Sequence, residues 1–409
     1  MRRRSFLGLA ATGVLTPAVA QAQAPARTGW VNTWTSMPQL TEPGNMPPPP
    51  FTQNGLVLAD ATLRQTVRVT TGGRRMRLRF SNAFGGAVLP ITAVTVALPV
   101  DGRAGVSAIA PNTRQRVTFN GRSSVDVPKG ALIVSDPLDF PLKPGSNLTV
   151  TTYLARGQAS SDITSHPGSR TTSHLLAGNH VEAVDLPGAT PTDHWYFLSG
   201  VEVLSSASAV VVIGDSLTDG RGSTTNGNDR WPDRLFDRIP SGISVLNQAA
   251  GGNRVLNDGL GPSVLARLDR DLLAQSGVRW LILFEGVNDI GTAQPAEAAQ
   301  KQVADDLICA YQQIVERAHA HGIKVFGATL TPFGASFYDE GFREEARQTV
   351  NRWIRASKHF DGLLDFDAAV RDPASPRQLL PAADVGDHLH LNPTGYRMLA
   401  EAVPLRLFR

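Results

Sequence analysis

An antiparallel β-sandwich followed by an α/β domain with a three-layer, doubly wound parallel sheet is the fold that this 409-residue sequence predicts. Three observations carry that expectation. From about Thr28 to Ser205 apolar and polar residues alternate with period two in short runs broken by Gly, Pro and Asn, and helical periodicity is almost absent. Short, evenly punctuated strands of this kind pair as antiparallel sheets with one face turned to a core. From Ala209 onward, continuous apolar runs alternate with helical patterns, as in a parallel sheet covered by crossover helices. The join at Ser205-Ser206-Ala207-Ser208 is short, which fits packed neighbours better than tethered ones. The expected division is therefore residues 28–205 and residues 206–409.

Taken in order, the chain opens with Met1-Arg2-Arg3-Arg4-Ser5-Phe6-Leu7, an apolar stretch to about Ala20 and small residues at Ala18, Ala20, Ala22 and Ala24. A basic start, a short apolar core and A-x-A cleavage choices make residues 1–24 an export signal, too short for a membrane span. Its Arg3-Arg4-Ser5-Phe6-Leu7 order resembles a twin-arginine signal, and the expected location is periplasmic or secreted. Pro43–Pro50 is expected to be extended or irregular surface chain. Leu63, Val67 and Val69 alternate with Arg64, Thr66 and Arg68. Met76, Leu78 and Phe80 alternate with Arg75, Arg77 and Arg79, and Gly72-Gly73 stands between the two runs. The pair reads as a hairpin. Further strands are expected at Ile91–Leu98, Arg116–Phe119, Leu132–Val134, Leu148–Leu154 and Val201–Leu204. In the second half, strands are expected at Ala209–Ile213, Ile243–Asn247, Arg279–Phe284, Lys324–Thr329 and Gly362–Phe366. Helices are expected at Trp231–Ile239, Ser263–Ser276, Ala296–His321, Arg343–Ser357 and Pro393–Val403.

Composition narrows the function. The chain is 42% hydrophobic and 18% charged, the balance of a protein with real cores. Its net charge of +3 is matched by three Arg and no acid in the export segment, so the remainder is neutral. No Lys/Arg-rich run could track a phosphate backbone, and nucleic-acid binding is not expected. No second apolar stretch approaches the length of a bilayer span. The single Cys, Cys309, excludes a disulfide framework and is expected to be a small buried residue.

Four places in the second half carry chemistry. Gly214-Asp215-Ser216-Leu217 follows the first apolar strand, and Asn247-Gln248-Ala249-Ala250-Gly251-Gly252-Asn253 follows the second. Glu285-Gly286-Val287-Asn288-Asp289 follows the third, and Asp387-His388-Leu389-His390-Leu391-Asn392-Pro393 precedes the last helix. In open α/β sheets, reacting groups gather beyond the carboxyl ends of the strands. These blocks, in this order, resemble the SGNH (GDSL) hydrolase superfamily, and the resemblance covers about Ala209 to Arg409. The Glu285–Ile290 stretch and Thr331-Pro332-Phe333-Gly334 are similar, more loosely, to a bacterial subgroup that includes acetyl-xylan-esterase-like proteins. The G-x-S-x-G elbow of α/β-hydrolases is not matched, because Thr218 stands where that motif has Gly.

The resemblance implies a serine carboxylester hydrolase that needs no cofactor. Ser216 would be the nucleophile, His390 the general base and Asp387 the acid that orients the ring. The oxyanion hole would consist of the backbone N–H groups of Ser216 and Gly252 with the amide of Asn288, Gly251 being the adjacent competitor. It implies a small ester or acylated-carbohydrate substrate, with short acyl groups such as acetyl favoured. A simple-ester arylesterase or lipase, an O-acetyltransferase and an inactive glycan-binding protein are the alternatives. Phe333, Phe337 and Tyr338 are placed to line an acyl or sugar pocket, with Phe333 and Tyr338 the named candidates. Other residues have plainer expected roles. Asp215 and Asp289 hold loop amides, and Trp30 and Trp34 pack in the core. The His388-x-His390 pair stands near Asp384 and Asp387, but with no HExxH, Cys cluster or further His nearby it is not expected to hold a metal.

Overall fold

The structure, a computed structural model, describes residues 28–409; the export signal expected at residues 1–24 lies outside them. In the second half five strands form one parallel sheet. Their order across the sheet is Ile243–Asn247, Ser208–Gly214, Val278–Phe284, Lys324–Ala328 and Gly362–Leu364. Ala209 to Ile213 are all fully buried, which is why that run lacks alternation: both faces of a parallel strand are covered. Helices Trp231–Phe236 and Pro393–Ala402 pack on each other, and helices Glu297–Ala320 and Arg343–Ala356 form a second packed pair. The expected Ser263–Ser276 helix is shorter and changes register, running as α-helix over Val264–Leu268 and as π-helix over Asp269–Leu273.

The strand order reverses at Ser208–Gly214, the first strand in sequence, which has the second on one side and the third on the other. Chains leaving neighbouring strands in opposite directions open a crevice at their carboxyl ends. Gly214-Asp215-Ser216, the Gly251-Gly252 loop and Asn288 all issue into that crevice.

The first half is antiparallel throughout its two large sheets. One joins Gly29–Thr35, Leu198–Ser205, Gly73–Ser81, Leu132–Val134 and Leu138–Leu142. The other has Ala61–Arg68 and Asn147–Leu154 at its centre. Leu63, Val67, Leu148 and Val150 from the second meet Met76, Leu78, Phe80, Val201 and Val203 from the first in one core. This arrangement corrects the hairpin expected around Gly72-Gly73. Ala61–Arg68 and Gly73–Ser81 do not pair; they belong to opposite sheets. Alternation shows which face of a strand is buried and says nothing about its partner. Gly72 makes the crossing possible, since a Cβ there would lie 2.6 Å from the Leu142 carbonyl oxygen.

The two halves are packed by polar contacts as well as apolar ones. Thr70 Oγ1 lies 2.7 Å from Ser244 Oγ, Ser276 N–H donates to Asn32 Oδ1 at 2.7 Å, and Arg79 Nη1 donates to Gln275 Oε1 at 3.0 Å. Trp34 is buried edge-on against Trp195, their centroids 4.9 Å apart, and Trp30 carries the Arg77 guanidinium over its ring at 4.3 Å. Cys309 departs from expectation: it sits on the exposed side of the Glu297–Ala320 helix. Leu307, Ala310, Ile314 and Val315 mark the buried side of that helix, and Cys309 falls off their stripe.

Candidate active site

Ser216 begins a single helical turn, Ser216–Asp219, directly after the central strand. Asp215 caps that turn, its Oδ1 accepting from Leu217 N–H at 2.9 Å. Such a cap satisfies an orphan amide and aims the next side chain outward. Ser216 Oγ lies 2.8 Å from His390 Nε2, and His390 Nδ1 lies 2.7 Å from Asp387 Oδ2. A carboxylate can only accept, so Nδ1 carries the proton and Nε2 is left free to accept from the hydroxyl.

Asp387 is fixed by more than the ring. Its Oδ1 accepts from the backbone N–H groups of Leu389 at 3.1 Å and His390 at 2.8 Å. The turn between acid and base passes through His388, whose φ is 61°. His388 bonds Asp384 at 2.7 Å rather than sharing a site with His390. Asn392 caps the closing helix, its Oδ1 accepting from Thr394 and Gly395 N–H, with Pro393 in the first turn.

Burial lowers the His390 ring below the ordinary imidazole range, against the opposing pull of Asp387. Burial works against a charged Asp387 too, but the hydrogen bonds from His390 backbone and ring outweigh it and hold the carboxyl below its usual range. A neutral imidazole beside an ionised carboxylate is the resting state that a general base needs.

The donors for an oxyanion separate by what they already bind. Gly251 N–H is committed to Asp219 Oδ2 at 3.0 Å. Among the described residues, the N–H groups of Gly252 and Ser216 have no protein acceptor. Gly252 has φ 72°, and a Cβ there would come within 2.5 Å of Leu260 Cδ1. Asn288 spends one amide hydrogen on the Asn253 carbonyl at 2.9 Å and accepts from Tyr338 O–H at 3.0 Å. Tyr338 thereby sets which way the amide faces, and the second Nδ2 hydrogen remains available.

Beneath the site lies a buried group of acids. Burial pushes Asp215 up to about 7 and Asp289 up to about 6, and lifts Glu285 well above the carboxylate range. Asp289 still accepts from Val255 and Leu256 N–H, both at 2.9 Å, and so ties the Gly251–Leu256 loop to the segment bearing Asn288.

Ser216, Gly252, Asn288, Tyr338 and His390 line one cleft of about 570 Å³. Phe333 does not. It is 1% exposed, turned into the core with the Arg347 guanidinium 5.9 Å from its ring. Phe337, 68% exposed, takes the rim instead. The loop after the fourth strand must bury one aromatic to close over the sheet, and Phe333, nearer the strand, is that one.

The opposite wall comes from the β half, through Gln39, Glu42, Asn45, Gly168, Arg170 and His194. The contact beneath that wall is a buried pair between the halves. His166 Nε2 lies 2.9 Å from Asp219 Oδ1, and His166 Nδ1 lies 3.1 Å from the Met37 carbonyl oxygen. One oxygen of Asp219 thus meets the β half while the other holds Gly251. Nothing local in the sequence marked these residues, because none stands in a motif; Asp219, three residues from Ser216, was the one signal within reach.

Residues 212–398 match the family model described as the GDSL-like lipase/acylhydrolase family. With the serine, histidine and aspartate joined as above, the second half is a GDSL-family carboxylic ester hydrolase. Several solved structures resemble it. A GDSL-like lipase from Bacteroides thetaiotaomicron is 17% identical with a TM-score of 0.37, over 49% of this chain and 88% of that one. A carbohydrate acetylesterase from Sinorhizobium meliloti is 17% identical with a TM-score of 0.38, over 48% and 95%. A variant of an acetyl xylan esterase from Geobacillus stearothermophilus is 22% identical with a TM-score of 0.36, over 48% and 93%. No curated protein matches the chain.

Proposed function

We propose that the chain hydrolyses short-acyl esters of polar alcohols, acetylated carbohydrate foremost, through an acyl-enzyme on Ser216. The observation that carries this reading is the unbroken hydrogen-bonded line from Ser216 Oγ through His390 to Asp387. His390 Nε2 takes the hydroxyl proton as Oγ bonds to the ester carbonyl carbon. The oxygen that becomes negative faces the free donors of Ser216, Gly252 and Asn288. Collapse breaks the bond to the alcohol oxygen, which receives the proton from His390. Water then repeats the sequence on the acyl-enzyme and releases the acid.

Two features of the cleft support the substrate class. Leu260 packs against Gly252, which shortens the space beyond the oxyanion donors and favours a small acyl group. The wall opposite is made of amides, a carboxylate, an imidazole and a guanidinium, groups suited to hydroxyls rather than to an alkyl chain. The Arg3-Arg4-Ser5-Phe6-Leu7 segment supports export of the folded chain. A chain-length series of p-nitrophenyl esters, run beside acetylated xylan, tests the reading: acetate release from the polymer is expected, and a preference for long acyl chains overturns it.

A further inference from the structure

Among the described residues, Arg170 is the one arginine or lysine that the β half contributes to the cleft. Among the described residues it forms no ion pair and no side-chain hydrogen bond, and its Nε is shielded from solvent without an acceptor. Partly buried arginines ordinarily find a carboxylate or carbonyl partner. Elsewhere in this molecule they do: Arg267 and Arg347, both fully buried, pair with Asp271 at 3.1 Å and Asp367 at 2.6 Å.

The backbone holds Arg170 in place from the other half of the molecule. Its φ is 49°, a left-handed conformation that a long side chain adopts only when its surroundings impose it. Asn226 imposes it: the Asn226 N–H donates to the Arg170 carbonyl at 2.9 Å, and Asn226 Oδ1 accepts from Thr172 N–H at 2.8 Å. Just before it, Gly168 lies so close to Asp219 that a Cβ would fall 1.7 Å from Oδ2. The guanidinium is therefore presented beside the reacting groups on a segment clamped at both ends.

Other charges facing the cleft are already engaged. Glu42 accepts from the Gln39 and Asn45 side-chain amides at 2.6 and 2.9 Å. Asp219 is held by His166 and Gly251, and Asp387 by His390. Arg221, at the mouth, has Nε 4.0 Å from Asp387 Oδ2. Both Arg170 and Arg221 oppose protonation of His390, which puts the two positive charges near the reacting centre.

We propose that Arg170 binds an anionic group carried by the alcohol part of the substrate, so that the preferred esters are acylated acidic sugars. This rests on the esterase reading and deepens it. A guanidinium offers a planar fork that fits a carboxylate with two bonds; a phosphate on the sugar shares that chemistry, and the test separates the two.

Three acetylated methyl glucosides serve as probes: the glucuronic acid, its neutral 6-carboxamide and the 6-phosphate. Acetate release is measured for each, beside p-nitrophenyl acetate, with the full chain and with Arg170→Asn, asparagine being chosen because it tolerates the left-handed backbone. The acid is expected to exceed the carboxamide in kcat/KM by at least about tenfold, the range of a charged hydrogen bond, mainly through KM. Arg170→Asn should bring that ratio to near one, and Arg170→Lys should restore part of it. A phosphate preferred over the acid assigns the subsite to sugar phosphates. Equal rates on acid and carboxamide overturn the anion subsite while leaving the esterase intact, as does an undiminished ratio in Arg170→Asn. Turnover of p-nitrophenyl acetate without turnover of any sugar overturns the sugar reading and this subsite with it. Failure on every ester overturns the esterase reading itself.

Discussion

The α/β half and the β half meet across one cleft and supply it differently. In the proposed reaction the first contributes the reacting groups, from three neighbouring strand ends and one helix start, each in a compact sequence block. The second contributes a wall of single residues, Gln39, Glu42, Asn45, Arg170 and His194, scattered over more than a hundred positions. Bond-making needs atoms held within a few tenths of an ångström, and short rigid turns at strand ends provide that. Recognition of the leaving alcohol, the role proposed for that wall, needs only complementary chemistry on a firm surface, so its residues can come from anywhere that packing brings them.

That contrast can be broken at its strongest point by Ser216→Ala. Removing the proposed nucleophile is expected to lower kcat on p-nitrophenyl acetate by at least ~10⁴-fold, and near-normal hydrolysis would remove the α/β half from its catalytic role. Asn288→Ala takes away one of the proposed oxyanion donors and is expected to cost ~10²–10³-fold in kcat, with KM changing little. A loss confined to KM would make Asn288 a binding group.

His166→Phe sharpens the comparison, because it acts from the β half on the α/β half. It leaves Asp219 buried without its partner and frees the carboxylate to turn from Gly251. A loss of about 1–3 kcal/mol of stability in denaturant titration and a kcat loss of roughly tenfold, equivalent to ~1.4 kcal/mol of transition-state stabilisation, are expected together. Restoration of kcat by His166→Gln, whose amide can donate to Asp219, separates positioning from folding alone. Tyr338→Phe is expected to lower kcat by only a few-fold, since one neutral hydrogen bond worth about 1 kcal/mol is removed and the Asn253 contact still orients Asn288.

The pH profile gives the smallest and most general check. His390 must be unprotonated to accept from Ser216, and burial lowers its affinity for a proton. Activity is therefore full above the ordinary imidazole range, persists as pH falls through it, and is lost only below, where the folded ring finally protonates. An acid limb of kcat/KM lying above 6.5, the ordinary imidazole value, would contradict the buried, neutral ring.

Much of the second half could be read from single residues. The Ala209–Ile213 run has no polar face and has to be buried on both sides; the parallel sheet follows from that and from the helices between its partners. Asn392-Pro393 announced the closing helix because a side-chain cap followed by proline suits only a helix start. The hairpin at Gly72-Gly73, Phe333 as a pocket residue and the burial of Cys309 went the other way. In each case the local pattern leaves two placements nearly equal, and contacts far along the chain decide between them.

By itself the sequence determined the order of the two textures, the strand ends on which chemistry could stand and the residue types able to perform it. Those properties depend on backbone periodicity and side-chain chemistry within a few neighbouring residues. Tertiary structure alone decided that the β half closes the cleft, that Gly251 is spent on Asp219, and that among the described residues Gly252 N–H and the Arg170 side chain face the site without a protein partner. Each depends on which distant groups satisfy a buried donor or charge, and that is settled only when the two halves pack.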